Sequence, residues 1–214
     1  MSGRVITVAQ QKGGSGKTTL AANLAIALLG RGHSVAVLDT DPQGSLGRWF
    51  MTRREAMNGT PDLDFGTASA WGVGYECEKL RDRNDFVIID TPPKIDSDLR
   101  PALRECDLVL VPVATSHVDL WATESVLEMA DRVGKPVLMV LNRAASRARL
   151  TGEVSELLDQ VEAPRAGTVL ANRVIFAEVL GEGTGVTEKA RSGPAAREVQ
   201  ALLDEIGAML DSLN

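Results

Sequence analysis

With 214 residues, 44% of them hydrophobic and 24% charged, the chain can bury a sizeable core, which excludes a disordered segment and fits a single domain over 1–214. Its 23 Lys plus Arg against 29 Asp plus Glu leave a formal charge of −6, so a surface that is basic throughout is excluded and any nucleic-acid contact has to use a local patch. Cys77, Cys106, His33 and His117 stand isolated, without the close spacing that a metal site or a disulfide framework needs.

In chain order, RVITVA (4–9) reads as a buried strand, and Gln10, Gln11 and Lys12 then break the apolar run that a signal sequence requires. KGGSGKTT (12–19) is a glycine turn that opens an apolar-periodic helix. Its LAIALL (24–29) falls far short of the roughly 18 residues of a membrane span, so a soluble cytoplasmic protein is expected. SVAVLD (34–39) is the second strand and runs into DTDPQG (39–44). Residues 45–75 are the least readable, with Trp49, Trp71, Tyr75 and a turn-rich NGTPD at 58–62. DFVIID (85–90) leads into DTPP (90–93), DLVLVPV (107–113) and PVLMVL (136–141) follow, and AGTVL (166–170) is the last strand. The closing helix, Ala195 to Leu213, sets Val199, Leu202, Leu203, Ile206, Leu210 and Leu213 on one face, while its polar face carries Glu198, Asp204, Glu205 and Asp211 against Arg197.

Apolar runs this continuous suit strands buried on both faces, and the segments between them are long enough for crossover helices. The expectation is an α/β fold with a mainly parallel twisted sheet flanked by helices on both faces. Ligands in such sheets bind beyond the carboxyl ends of the strands, where the glycine-rich and acidic residues of this chain gather.

The glycine turn carries the strongest chemistry. Gly13, Gly14 and Gly16, with Ser15 between them, leave room for backbone N–H groups to face phosphate oxygens, and the helix dipole adds to the attraction. Lys17 then reaches the β and γ phosphates and Thr18 places a hydroxyl on Mg²⁺, with Thr19 beside them. The strict GxxxxGK[ST] pattern fails because Gln11 occupies its first glycine position. Asp90 at a strand end is placed to hold the metal, strand capping being the plain alternative. Asp41 and Asp39 stand near the same phosphates by sequence, as does Gln43.

KGGxGKT resembles the deviant Walker A motif of the ParA/MinD family of P-loop ATPases, and the likeness extends to LDTDPQGSL (38–46), FVIIDTPP (86–93), VPVATSHVDLWATESVL (111–127), VLNR (140–143) and RVIFAEVLGEGTGVTE (173–188). It is nearest to the short ParA proteins without an N-terminal DNA-binding domain, for which the 11 residues before Lys12 leave no space. The resemblance implies ATP and Mg²⁺ as ligands, with Lys12 crossing a homodimer interface to the partner's ATP. It makes Asp41 the guide of the attacking water and a metal neighbour, Asp90 the Walker B aspartate, and Asn142 the contact to adenine, a turn asparagine being the alternative there. Gly13 would have to stay small for two such faces to meet.

The ParA branch binds DNA nonspecifically as an ATP dimer and is released when a ParB-like or other activating partner stimulates hydrolysis, which implies a nucleoid-associated protein that positions plasmid, chromosome or protein cargo. Candidate DNA contacts are Arg143, Arg147, Arg149, Arg165, Arg173, Lys189 and Arg191. The acidic closing helix differs from the basic membrane helix of the MinD branch, so no membrane partner is expected. Two alternatives share the motifs: an adaptor ATPase serving a secretion, polysaccharide or chemoreceptor assembly, and a ligase of the dethiobiotin synthetase type.

Overall fold

The architecture is that of a computed structural model, which describes residues 3–93, 99–145 and 149–213. Seven strands, β1 (Arg4–Val8), β2 (Val35–Asp39), β3 (Asp64–Thr67), β4 (Phe86–Asp90), β5 (Leu108–Ala114), β6 (Val137–Ala144) and β7 (Arg165–Ala171), form one sheet in the order β3-β2-β4-β1-β5-β6-β7. Every pairing is parallel. Parallel neighbours need crossovers, and α1 (Lys17–Gly30), α2 (Ser45–Ala56), α3 (Val73–Arg81), α4 (Leu99–Glu105), α5 (His117–Arg132) and α6 (Arg149–Leu158) supply them. After β7 the chain closes with α7 (Val174–Glu182), α8 (Val186–Lys189) and α9 (Pro194–Ser212).

Alternation along each strand sends Ile6, Val8, Val37 and Ile88 to a core shared with α1, α2 and α9, and Val5, Leu38, Val87 and Ile89 to a second core under α3, α4 and α5. This double burial is why the strands read as unbroken apolar runs. α1 is covered on nearly all sides: Leu20, Leu24, Ile26 and Leu28 and the four alanines among them are buried. The alanines let neighbouring backbone approach. A Cβ on Gly185 would meet Ile26 Cβ at 2.7 Å, and buried Asn23 Oδ1 accepts from Val186 N at 2.9 Å, so α1 holds the start of α8 directly.

The poorly readable stretch 45–75 becomes α2, the edge strand β3, a 3₁₀ turn at Ala70–Gly72 and the start of α3. Its aromatics part company: Trp49 is buried and donates from Nε1 to Thr184 O at 3.0 Å, whereas Trp71 and Tyr75 are exposed. α2 owes its place largely to Arg53, which is 4% exposed and bonds Asp62, Glu188 and Gly183 O. The closing helix buries Val199, Leu202, Leu203, Ile206 and Leu210 as expected, but Leu213 falls beyond its last turn and is half exposed. Among the described residues no helix is long and apolar enough to cross a membrane.

Candidate functional site

Register brings the chemistry to one edge. Val8 lies beside Asp90 and Leu110, Asp39 beside Asp90, and Ala114 beside Asn142, so the turns after β1, β2, β4 and β6 all open at the carboxyl ends of adjacent strands. Thr40 Oγ1 donates to Asp90 O and Thr91 Oγ1 to Val8 O, each at 2.8 Å, which stitches the strand ends together.

The turn from β1 to α1 needs its glycines for different reasons. Gly14 (φ 81) and Gly16 (φ 93) take the left-handed conformation, and a Cβ on Gly16 would lie 2.5 Å from Asn142 Nδ2. Among the described residues Gly13 meets nothing closer than Pro93 Cβ at 4.0 Å.

Lys17 is buried at the first turn of α1, and burial pulls its pKa down while Asp90 and Asp41 push it back up. Thr18 Oγ1 donates to Asp90 Oδ2 at 2.6 Å. Asp90 is fully buried; desolvation pushes its pKa up to about 7, the Thr18 bond and Lys17 act in the opposite sense, and nearby Asp39 and Asp41 add to the rise. Its Oδ1 has no hydrogen-bond partner among the described residues. A buried carboxylate oxygen left open beside a threonine hydroxyl has the chemistry to ligate a hard cation.

Asp39 is bonded within its own turn. Oδ1 accepts from Asp41 N at 3.0 Å and Oδ2 from Gly47 N at 2.8 Å, so it organises the turn that carries Asp41. Asp41 Oδ1 in turn accepts from Gln43 N at 2.9 Å.

The two lysines diverge. Lys17 lines a cleft at the glycine turn with Gly13, Gly14, Thr18 and Asp41. Lys12 is absent from that lining and pairs instead with Asp119 Oδ2 at 3.0 Å, in the first turn of α5. Asp119 is 1% exposed, its N–H donates to the Ser116 hydroxyl, and the two side chains are also hydrogen-bonded. Asp119 is a site residue that sequence reasoning missed, although SHVD (116–119) carries the Ser-x-x-acid signature of a helix start.

A second cleft, of about 620 Å³ with its open mouth, lies against the first between β6 and α7. Asn142, Arg143, Asn172, Arg173, Phe176 and Leu180 line it. Asn142 Nδ2 donates to Ser15 O at 2.8 Å and its Oδ1 accepts from Arg143 N, so this side chain ties β6 to the glycine turn while lining the cleft. Asn172 and Phe176 were not anticipated, because nothing in their local sequence marks them until β7 brings α7 over the turn.

The basic candidates are scattered. Arg143 lines both clefts. Arg173 pairs with Glu198 at 2.6 Å, Lys189 with Glu182 and Glu178, and Arg165 with Asp159. Arg191 is exposed and has no ion pair among the described residues. Arg147 and the side chain of Arg149 lie outside the described residues.

Residues 6–186 match the CobQ/CobB/MinD/ParA nucleotide binding domain. The "Maintenance of carboxysome distribution protein A" of Halothiobacillus neapolitanus is 32% identical over 209 residues, spanning 94% of this chain and 95% of that one. The "Chromosome-partitioning ATPase Soj" of Thermus thermophilus is 29% identical, with 96% of each chain covered. Among solved structures, the septum site-determining protein MinD of Pyrococcus horikoshii, complexed with Mg-ADP, superposes with a TM-score of 0.81 at 19% identity, over 99% of this chain and 98% of that one. A seven-stranded parallel sheet with a glycine turn at its centre and a family match over most of the length together place the chain in the ParA/MinD family of nucleotide-binding P-loop proteins.

Proposed function

We propose that this chain is an ATPase of the ParA type, which pairs with a second copy when it binds ATP, holds DNA nonspecifically in that state, and is released when an activating partner stimulates hydrolysis. One observation carries the reading: the two lysines of a single turn face different ways. Lys17 is buried against Asp90 and serves its own nucleotide; Lys12, 37% exposed and outside the lining of its own cleft, is paired with Asp119 and would exchange that carboxylate for a partner's phosphate. A cation delivered in trans to a transferred phosphoryl group is worth about 10³–10⁵ in rate. Gly13, with no atom nearer than Pro93 Cβ at 4.0 Å among the described residues, suits a face that a second copy must approach.

Thr18 Oγ1 and Asp90 would hold the Mg²⁺ that accompanies the nucleotide. Oxygen donors, one carboxylate and a hydroxyl, fit that ion, and the unpartnered Asp90 Oδ1 fits it specifically. Bound there, the metal would supply charge neutralisation to the nucleotide's phosphates. Asp41, on the turn that Asp39 braces, orients the attacking water. The relatives' names, one for carboxysome distribution and one for chromosome partitioning, support a positioning task of this kind.

The deciding experiment measures ATP hydrolysis and size in solution with ATP, with and without DNA, and adds a mobility shift at low salt. The expected result is an ATP-dependent dimer that retards DNA only with ATP and hydrolyses it faster with DNA and partner together. A chain that stays monomeric with ATP, or binds DNA regardless of nucleotide, overturns the proposal.

A further inference from the structure

The cleft at the glycine turn and the cleft beneath α7 share four lining residues, Gly16, Thr19, Leu180 and Arg143. These form the neck through which a bound nucleotide has to pass if its phosphates lie on the glycine turn and its base lies by Asn142 and Phe176. Arg143 is the one cation of the four. It has a left-handed backbone (φ 54), a conformation that L side chains adopt only rarely and that a regular strand does not require. Two bonds accompany it and tie this strand end to the glycine turn: Arg143 N donates to Asn142 Oδ1 at 2.9 Å, and Asn142 Nδ2 donates to Ser15 O at 2.8 Å. The turn so made lays the guanidinium over the end of the glycine loop, with Nε 3.5 Å from where a Cβ on Gly16 would sit.

Arg143 also differs from the other arginine of that cleft in its surroundings. Arg173 is bound to Glu198, whereas Arg143 is exposed and no carboxylate pairs with it among the described residues. An unneutralised guanidinium at the neck, held there by a strained backbone, has the geometry and charge to accept a phosphate in a bidentate pair. From this placement we propose that Arg143 is a ligand of the nucleotide's α-phosphate, joining the base end of the site to the phosphate end, rather than a contact to DNA.

The inference rests on the nucleotide reading above, and the test separates the two. Binding of ADP, AMP-PNP and AMP is measured by calorimetry, without DNA, for the parent chain and for Arg143→Asn, Arg143→Lys and Lys17→Ala. Asn tolerates the left-handed backbone, so that variant keeps the turn while removing the charge. The expected result is a loss of about 5–50-fold in Arg143→Asn, similar for all three nucleotides because all carry an α-phosphate, with partial recovery in Arg143→Lys. Parent-like affinity in Arg143→Asn, with Lys17→Ala impaired, overturns the role of Arg143 and leaves the nucleotide site standing. Weakening of AMP-PNP alone overturns it in favour of a γ-phosphate contact, and a parent chain that binds none of the three overturns both readings.

Discussion

Replacing Asp90 by Asn should stabilise the nucleotide-free chain while destroying its use of Mg²⁺. The carboxylate is fully buried and its pKa is raised from 3.8 to about 7, mainly by desolvation. The native state therefore keeps a proton that the unfolded chain gives up near pH 4, and stability falls as pH rises from about 4 to about 7 and stays low above it. Three pKa units at 1.36 kcal/mol each set the penalty at pH 8 on the order of 4 kcal/mol. Asn keeps an acceptor for Thr18 Oγ1 and removes the charge, at the loss of an attraction to Lys17 that offsets part of the gain. At roughly 2–4 °C per kcal/mol for a chain of this size, Asp90→Asn should melt about 5–10 °C higher at pH 8 and no higher at pH 4. Thermal unfolding without nucleotide across that range reads the effect. A variant that melts lower at pH 8, or a difference independent of pH, would refute the account of Asp90 as a site strained by an unneutralised charge. In the same preparations Mg²⁺ should raise the melting temperature of the nucleotide-bound parent and not of the variant.

Asp41→Ala should bind ATP and dimerise like the parent but hydrolyse on the order of 10²–10⁴-fold more slowly, since only the water loses its guide; light scattering with ATP that showed monomers alone would count against this. Asp119→Asn leaves Lys12 Nζ without its carboxylate, so the ATP concentration at half-maximal dimerisation should fall severalfold, while Lys12→Ala should keep nucleotide affinity and lose turnover. Equal dimerisation in Asp119→Asn and parent would show that the Lys12–Asp119 pair does not hold the lysine back. Arg53→Ala strands Asp62 and Glu188 and removes the tie from α2 to Gly183 O, and should cost about 2–4 kcal/mol in chemical denaturation; a loss below 0.5 kcal/mol would mean that α2 is held by Trp49 instead.

Local chemistry alone identified the parts whose function depends on neighbours in sequence. A glycine turn needs its glycines and its lysine within a few bonds of one another, so KGGSGKTT, DTDPQG and DTPP were legible one by one, and unbroken apolar runs announced strands covered on both sides. Tertiary structure decided the rest, because partners far apart in the chain meet only when the sheet is ordered. β4 lies between β1 and β2, which puts Asp90 on Thr18. α5 returns beside the glycine turn and supplies Asp119 to Lys12, and Asn142, bonded to Ser15 O and Arg143 N, ties β6 to that turn so that Arg143 lines both clefts. The stretch 45–75 was opaque for the same reason: Trp49 and Arg53 are ordinary helix residues until the turn between α7 and α8, more than a hundred positions away, gives them something to bind.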